Sequence, residues 1–196
     1  MVVGLTGGIG SGKTTVAKMF ASYRNVVVYY ADIEAKKLMT SSETIKRNLI
    51  DQFGKETYLN KELNRPYLAN IVFKDPSKLK ILNGIVHPEV YKHLNNFIAK
   101  NKDKSYILYE NAILFENKSD TFCDKIITVT APLKTRIDRV INRDGTTKNA
   151  VKNRITNQWN DNLKTLQSHY VIHNVNLEDT EQQVFKIHNI LTNTLY

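Results

Sequence analysis

Five short runs of consecutive apolar, β-branched or aromatic residues punctuate the chain. They are residues 1–6 (MVVGLT), 26–30 (VVVYY), 105–111 (SYILYEN), 125–130 (KIITVT) and 170–174 (YVIHN). Several are apolar at successive rather than alternate positions, the pattern of strands covered on both faces. Helical periodicity fills most of the gaps. It predicts helices over 13–23, 132–143, 148–166 and 178–195, the second opening on a proline suited to a first turn. Strand alternating with helix argues for a parallel α/β sheet.

Residues 33–102 break this alternation, with helical spacing throughout and no convincing strand. Within them, 44–53 places Ile45, Leu49 and Phe53 on one helix face. Residues 79–98 read as a long helix that Pro88 kinks or interrupts. A helical insert between the second and third strands forms either a substrate lobe or a packed crossover, and periodicity does not choose between them.

Composition narrows the class. The 196 residues suit one domain, 1–196, with an embellishment. No apolar run approaches the roughly 20 residues of a membrane span. The chain opens directly on a strand, so the expectation is no secretory leader and a cytoplasmic protein. Cys123 is the only cysteine, which excludes an internal disulfide and a thiolate metal cluster. The net charge of +9 fits polyanionic partners. The basic residues are scattered, so a dedicated nucleic-acid binder is not expected.

The candidate chemistry lies between the first strand and the first helix, in GLTGGIGSGKTT. Gly7 to Thr14 fits G-x-x-x-x-G-K-[ST], the P-loop. Gly8, Gly10 and Gly12 let backbone amides approach an anion without side chains in the way. With Ser11 and Thr15 they line a nest for phosphate oxygens, backed by the positive end of a helix dipole. Lys13 is placed to bridge β- and γ-phosphates, and the Thr14 hydroxyl to ligate Mg²⁺. The anion expected is the tail of a nucleoside triphosphate.

Two shorter matches suggest a GTP switch instead. Asp51 to Gly54 reads D-x-x-G, and Asn117 to Asp120 reads N-K-x-D. The first ends a helical pattern, where Gly54 reads as a C-terminal cap. In the second, Asp120 could equally cap a turn around 121–123.

Arginines 136, 139 and 143 recur at helical spacing and share a face, followed by the short polar stretch DGTTKN and a helix carrying Arg154. That is the layout of a lid over about 143–150, with guanidinium groups that neutralise a moving phosphoryl group. Asp32 follows the second strand, where it could orient an acceptor hydroxyl or merely cap the next helix. Glu110 ends the third strand and could reach the metal through water. The lone His87 reads equally as a packing residue.

These segments resemble the dephospho-CoA kinase family along almost the whole chain. The matching stretches are GLTGGIGSGKTTVA from Gly4, ADIEAKKL from Ala31, VFKDPSKLKILNGIVHPEV from Val72, AILFE from Ala112, VTAPLKTRIDRVINRD from Val129, RITNQW from Arg154 and VIHN from Val171. The insert segment ending in His87 and Pro88 is the most particular. The resemblance implies a P-loop kinase three-layer fold, with a five-stranded parallel sheet, a helical substrate-binding insert over about 33–102 and a lid. It implies transfer of the γ-phosphate of ATP to the ribose 3′-hydroxyl of dephospho-CoA, with Mg²⁺. Asp32 would be the base or orienting group, His87 and Pro88 part of the acceptor lobe, Arg139 a neighbour of ATP, and Arg143 a catalytic lid residue. The chain departs from the family at Tyr30, where an aspartate is frequent, at Arg136, where glutamine is, and at Ser168-His169, where Ala-Asp is. Another small-molecule kinase, a GTP switch and a non-catalytic nucleotide-binding module are the alternatives.

Overall fold

A computed structural model of the chain describes residues 1–193. The end of the helix expected to reach Leu195 lies outside them. The elements run β1 (Val2–Thr6), α1 (Lys13–Ala21), β2 (Val26–Tyr30), α2 (Ala31–Ser41), α3 (Glu43–Phe53), β3 (Tyr58–Leu59), β4 (Glu62–Leu63), α4 (Arg65–Val72) and α5 (Pro76–Lys100). Then come β5 (Tyr106–Glu110), β6 (Lys125–Thr130), α6 (Leu133–Asp144), α7 (Lys148–Thr156), α8 (Asp161–Leu166), β7 (Tyr170–His173) and α9 (Leu177–Asn193). The chain divides into two compact units, one of Met1–Tyr29 with the chain from Asn101 onward, the other Tyr30–Lys100.

The first unit is built on a five-stranded parallel sheet in the order β2-β5-β1-β6-β7, flanked by helices. β1 and β5 are buried at every position, whereas the edge strands β2 and β7 are partly exposed. That gradient is why the central strands read as unbroken apolar runs. Leu5 of β1 pairs in register with Glu110 of β5 and Ile127 of β6. The carboxyl ends of the three central strands therefore lie side by side, beneath the glycine-rich turn. Cys123 packs against Gly4 of β1, where a Cβ would meet its Sγ at 2.8 Å. Burial pushes its thiol up to about 12, so it stays protonated and inert.

One predicted helix is two. The stretch 148–166 breaks after Thr156 because the Asn160 side chain accepts from the Asn162 N–H (2.9 Å) and starts α8 afresh.

The second unit is helical. Ser42 caps α3 through the Ile45 N–H, and Ile45, Leu49 and Phe53 are its buried face, as the spacing predicts. Asn64 caps α4 through Tyr67 N–H. Two tyrosine hydroxyls satisfy carbonyls at helix ends: Tyr58 bonds Met39 of α2, and Tyr67 bonds Phe53 of α3. α5 runs uninterrupted through Pro88, which cannot donate to the Gly84 carbonyl one turn back. The unit also holds a small antiparallel hairpin, β3–β4, that the periodicity gave no sign of.

Candidate active site

The turn from β1 to α1 has the backbone that its glycines permit. Gly10 (φ 79°) and Gly12 (φ 92°) occupy conformations that side chains resist. Gly12 is the N-cap of α1 and offers no side chain to the first amides of the helix. The Lys13 ammonium folds back to donate to the Gly7 carbonyl at 2.8 Å. Thr14 and Thr15 are exposed on the first turn of α1, while Ser11 is fully buried.

Protein atoms, and not only a future phosphate, require these glycines. A Cβ on Gly8 would stand 2.1 Å from the Arg136 guanidinium, and one on Gly10 2.4 Å from the Arg136 carbonyl. On Gly12 it would stand 1.9 Å from Asn174 Nδ2. The loop is thus cupped by α6 and by the residue that follows β7. Arg136 is only 5% exposed; its Nε donates to the Ile9 carbonyl at 2.9 Å and its Nη1 pairs with Asp161. The helical spacing has Arg136 share a face with Arg139 and Arg143, able to close on phosphate; the structure instead buries it against the loop. An acceptor on the loop and a carboxylate on α8 draw it inward. Asn174 donates to the Ser11 carbonyl at 2.8 Å and is itself held by the Thr180 hydroxyl at 3.1 Å. The sequence reading gave Asn174 no role; its only signal was a polar residue at the carboxyl end of a strand. Arg139 donates to the Asn174 carbonyl at 3.1 Å through Nη2.

Two buried polar groups of this cradle, Ser11 Oγ and Arg139 Nη1, have no hydrogen-bond partner among the described residues. Buried donors in such a state are costly unless something else engages them.

The outer end of α6 differs. Gly145 terminates the helix in the left-handed conformation and Thr147 caps α7 through the Ala150 N–H. Asp144, the last residue of α6, holds two exposed arginines, Arg143 (Nε–Oδ1 2.7 Å) and Arg154 (Nη1–Oδ2 2.8 Å). The Arg143 hydrogen bonds, with Arg154 adding to them, depress the Asp144 carboxyl to about 2.

Glu110 is buried at the end of β5. Beyond it, the fully buried Lys164 ties the following segment, bonding Glu116 and the Ala112 carbonyl at 2.8 Å each.

In the helical unit, Asp32 lies exposed in the first turn of α2, with no ion pair or hydrogen bond on its carboxylate among the described residues. The N-cap is Tyr30, so Asp32 is not the cap. His87 is half-buried in α5 with its ring 6.1 Å from that of Tyr91, and burial lowers its pKa. Pro88 beside it is exposed.

The GTP-switch matches are local structure. Asp51 sits inside α3, and Gly54 caps that helix by donating to the Ile50 carbonyl. The Asn117 side chain accepts from the Ser119 N–H, closing a turn at Lys118, and Asp120 lies inside the short helical turn that follows and does not cap it.

The family model for dephospho-CoA kinase matches residues 1–179. A dephospho-CoA kinase of Fusobacterium nucleatum is 36% identical over 186 residues, covering 94% of this chain and 95% of that one. One from Salinibacter ruber is 34% identical, with 97% of each chain covered. A crystal structure from Thermus thermophilus superposes with a TM-score of 0.87 at 29% identity, covering 97% of this chain and 96% of that one. Among the described residues no helix is long and apolar enough to cross a membrane. The chain belongs to the dephospho-CoA kinase family, ATP-dependent phosphotransferases that carry out the last step of coenzyme A biosynthesis.

Proposed function

We propose that the chain transfers the γ-phosphate of ATP to the ribose 3′-hydroxyl of dephospho-CoA, and that the loop from Gly7 to Thr15 receives the ATP phosphates. The observation that carries the reading is the cradle: a helix start without a capping side chain, facing two buried donors that lack partners. Amides of Gly8, Gly10, Ser11 and Gly12 would bind phosphate oxygens, and Lys13 would leave Gly7 for the β- and γ-phosphates. Arg139 would turn its unengaged nitrogen to the nucleotide.

A divalent cation fits the donor set. The described residues hold no cluster of three carboxylates, histidines or cysteines that would cage an ion. Mg²⁺ needs none, because it keeps its waters and takes one or two hard protein oxygens with substrate phosphates. The exposed Thr14 hydroxyl offers one, and the Glu110 carboxylate could bind through water. The cation would neutralise charge on the β- and γ-phosphates.

Asp32 carries no competing partner and would orient the acceptor hydroxyl or take its proton. Residues 33–102, with His87 and Pro88, would form the acceptor-binding insert of a single kinase domain. The stretch at about 143–150 would act as the lid, with Arg143 exchanging Asp144 for the phosphoryl group in flight. A nucleotide co-substrate and a protonated lone thiol fit the cytoplasm.

A coupled assay of ADP release over a panel of hydroxyl acceptors tests this. Dephospho-CoA should be the one acceptor turned over efficiently, and Asp32→Asn should slow turnover about a hundredfold while ATP binding holds. Equal turnover of an unrelated acceptor, or an Asp32→Asn protein that loses only thermal stability, would sink it.

A further inference from the structure

The P-loop pattern treats residue 9 as a free position, yet the structure ties it down more firmly than any glycine around it. The Ile9 N–H donates to Gln158 Oε1 at 2.8 Å, and its carbonyl accepts from Arg136 Nε at 2.9 Å. Its side chain packs into the small core that joins α6 to α7, against Ile137, Val140 and Val151. Both polar groups of one residue in a glycine-rich loop are therefore held by side chains. One side chain comes from the base of α6, the other from just beyond the end of α7. Asp161 fixes the first of these: it pairs with Arg136 and accepts from the Thr130 hydroxyl at 3.2 Å. The Gly8 position faces the same guanidinium group.

A loop of Gly7, Gly8, Gly10 and Gly12 has much conformational entropy to lose when it closes on phosphate. A loop already held at its middle loses less, and the difference appears as affinity for the donor. We infer that Arg136 and Gln158 are positioning residues for ATP: by holding the Ile9 backbone from both sides they keep the loop in its phosphate-receiving shape. Neither residue touches the substrate. The inference rests on the reading of Gly7 to Thr15 as the ATP phosphate site. It also explains why an arginine can stand at position 136 although it is buried, since its charge is met by Asp161 and its Nε by the loop.

The two clamps allow a test that a purely structural role would fail. Steady-state kinetics on the full-length protein are measured with ATP varied at saturating dephospho-CoA, then the reverse, beside thermal melts. Gln158 is half-buried and outside the ion pair, so Gln158→Ala should lower the melting temperature by no more than about 2–4 °C, the scale of one hydrogen bond. Its KM for ATP should rise about tenfold, the scale of one lost hydrogen bond to a preorganised loop, with KM for dephospho-CoA unchanged. Arg136→Met alone strands Asp161 and lowers stability. The double variant Arg136→Met, Asp161→Leu removes both charges and should regain that stability. Its KM for ATP should stay raised, because the Ile9 carbonyl is still unheld. A wild-type KM for ATP in either Gln158→Ala or the double variant would overturn the inference alone. A wild-type protein whose turnover does not depend on ATP would overturn the phosphate-site reading as well.

Discussion

Arg136 and Arg143 stand two turns apart on α6, each paired with an aspartate, and they behave as different kinds of residue. Arg136 is 5% exposed and its partner, Asp161, comes from another helix. The Arg143 side chain is 63% exposed and its partner is its chain neighbour Asp144, which also holds Arg154. A buried charge cannot lose its partner without a large penalty. An exposed pair gains little over water and can be exchanged for another anion at little loss. The same residue type thus serves as a fixed strut at one end of the helix and as a releasable arm at the other. Burial and the origin of the partner decide which.

The largest expected effect lies on the fixed side. Lys13→Ala should lower turnover about a thousandfold, the scale for losing a preorganised cation at the transferring phosphate. Its melting temperature should fall far less than its turnover, because Lys13 is half-buried at the start of α1 and outside the packed core. A variant with measurable wild-type turnover would remove Lys13 from the chemistry and leave the cradle as scaffold only.

Arg143→Ala comes next and should invert the signature of Gln158→Ala. We expect kcat to fall about tenfold to a hundredfold with KM for ATP and stability near wild type, the signature of an arm that, as proposed, acts only as charge moves. Stopped-flow or steady-state rates at saturating ATP measure it. If KM for ATP rose while kcat held, Arg143 would be a ground-state binder and the contrast between the two ends of α6 would collapse.

What could be read from the chain follows the same division between local and distant causes. The five strands announced themselves because covered strands must be apolar at every position. The phosphate loop did so because its glycines and lysine are adjacent. The β3–β4 hairpin was hidden because Asn60 and Lys61 take positive φ at its turn (50° and 68°) without the glycine that marks such turns. The break between α7 and α8 was hidden because an asparagine, not glycine or proline, makes it. Arg136 was grouped with Arg139 and Arg143 because its helical spacing is visible in the sequence. The carboxylate that buries it is on another element, and no periodicity reports a partner there. Asn174 escaped for the same reason: its bond to Ser11 spans nearly the whole chain. For Asp32 and the insert, position left two readings open and only family likeness favoured one, since a carboxylate in a helix's first turn also has an ordinary explanation in the helix dipole.

The smallest effect concerns what stands behind the fixed side. His188 of α9 is buried, its ring stacked on Tyr23 just past α1 at 3.7 Å, and its Nδ1 lies 2.9 Å from the Tyr106 hydroxyl of β5. Burial lowers its pKa below the ordinary 6.5, so the folded chain takes up its proton later than the unfolded chain does. The sign follows: the stack's contribution is complete above about pH 6.5 and is lost as pH falls toward the folded value. The pair at the other end of α6 has no such window, because Asp144, held at about 2, stays ionised throughout. Melting at pH 5.5 should therefore come lower than at pH 7.5 through this group. His87, also lowered by burial, adds a loss of the same sign, so the group is isolated by difference. His188→Gln keeps a polar side chain without a titrating proton, and its melting temperature should depend less on pH than the wild type's. Equal slopes for the two proteins would mean that the stack tolerates an imidazolium, and acid would then not distinguish the strut side from the arm.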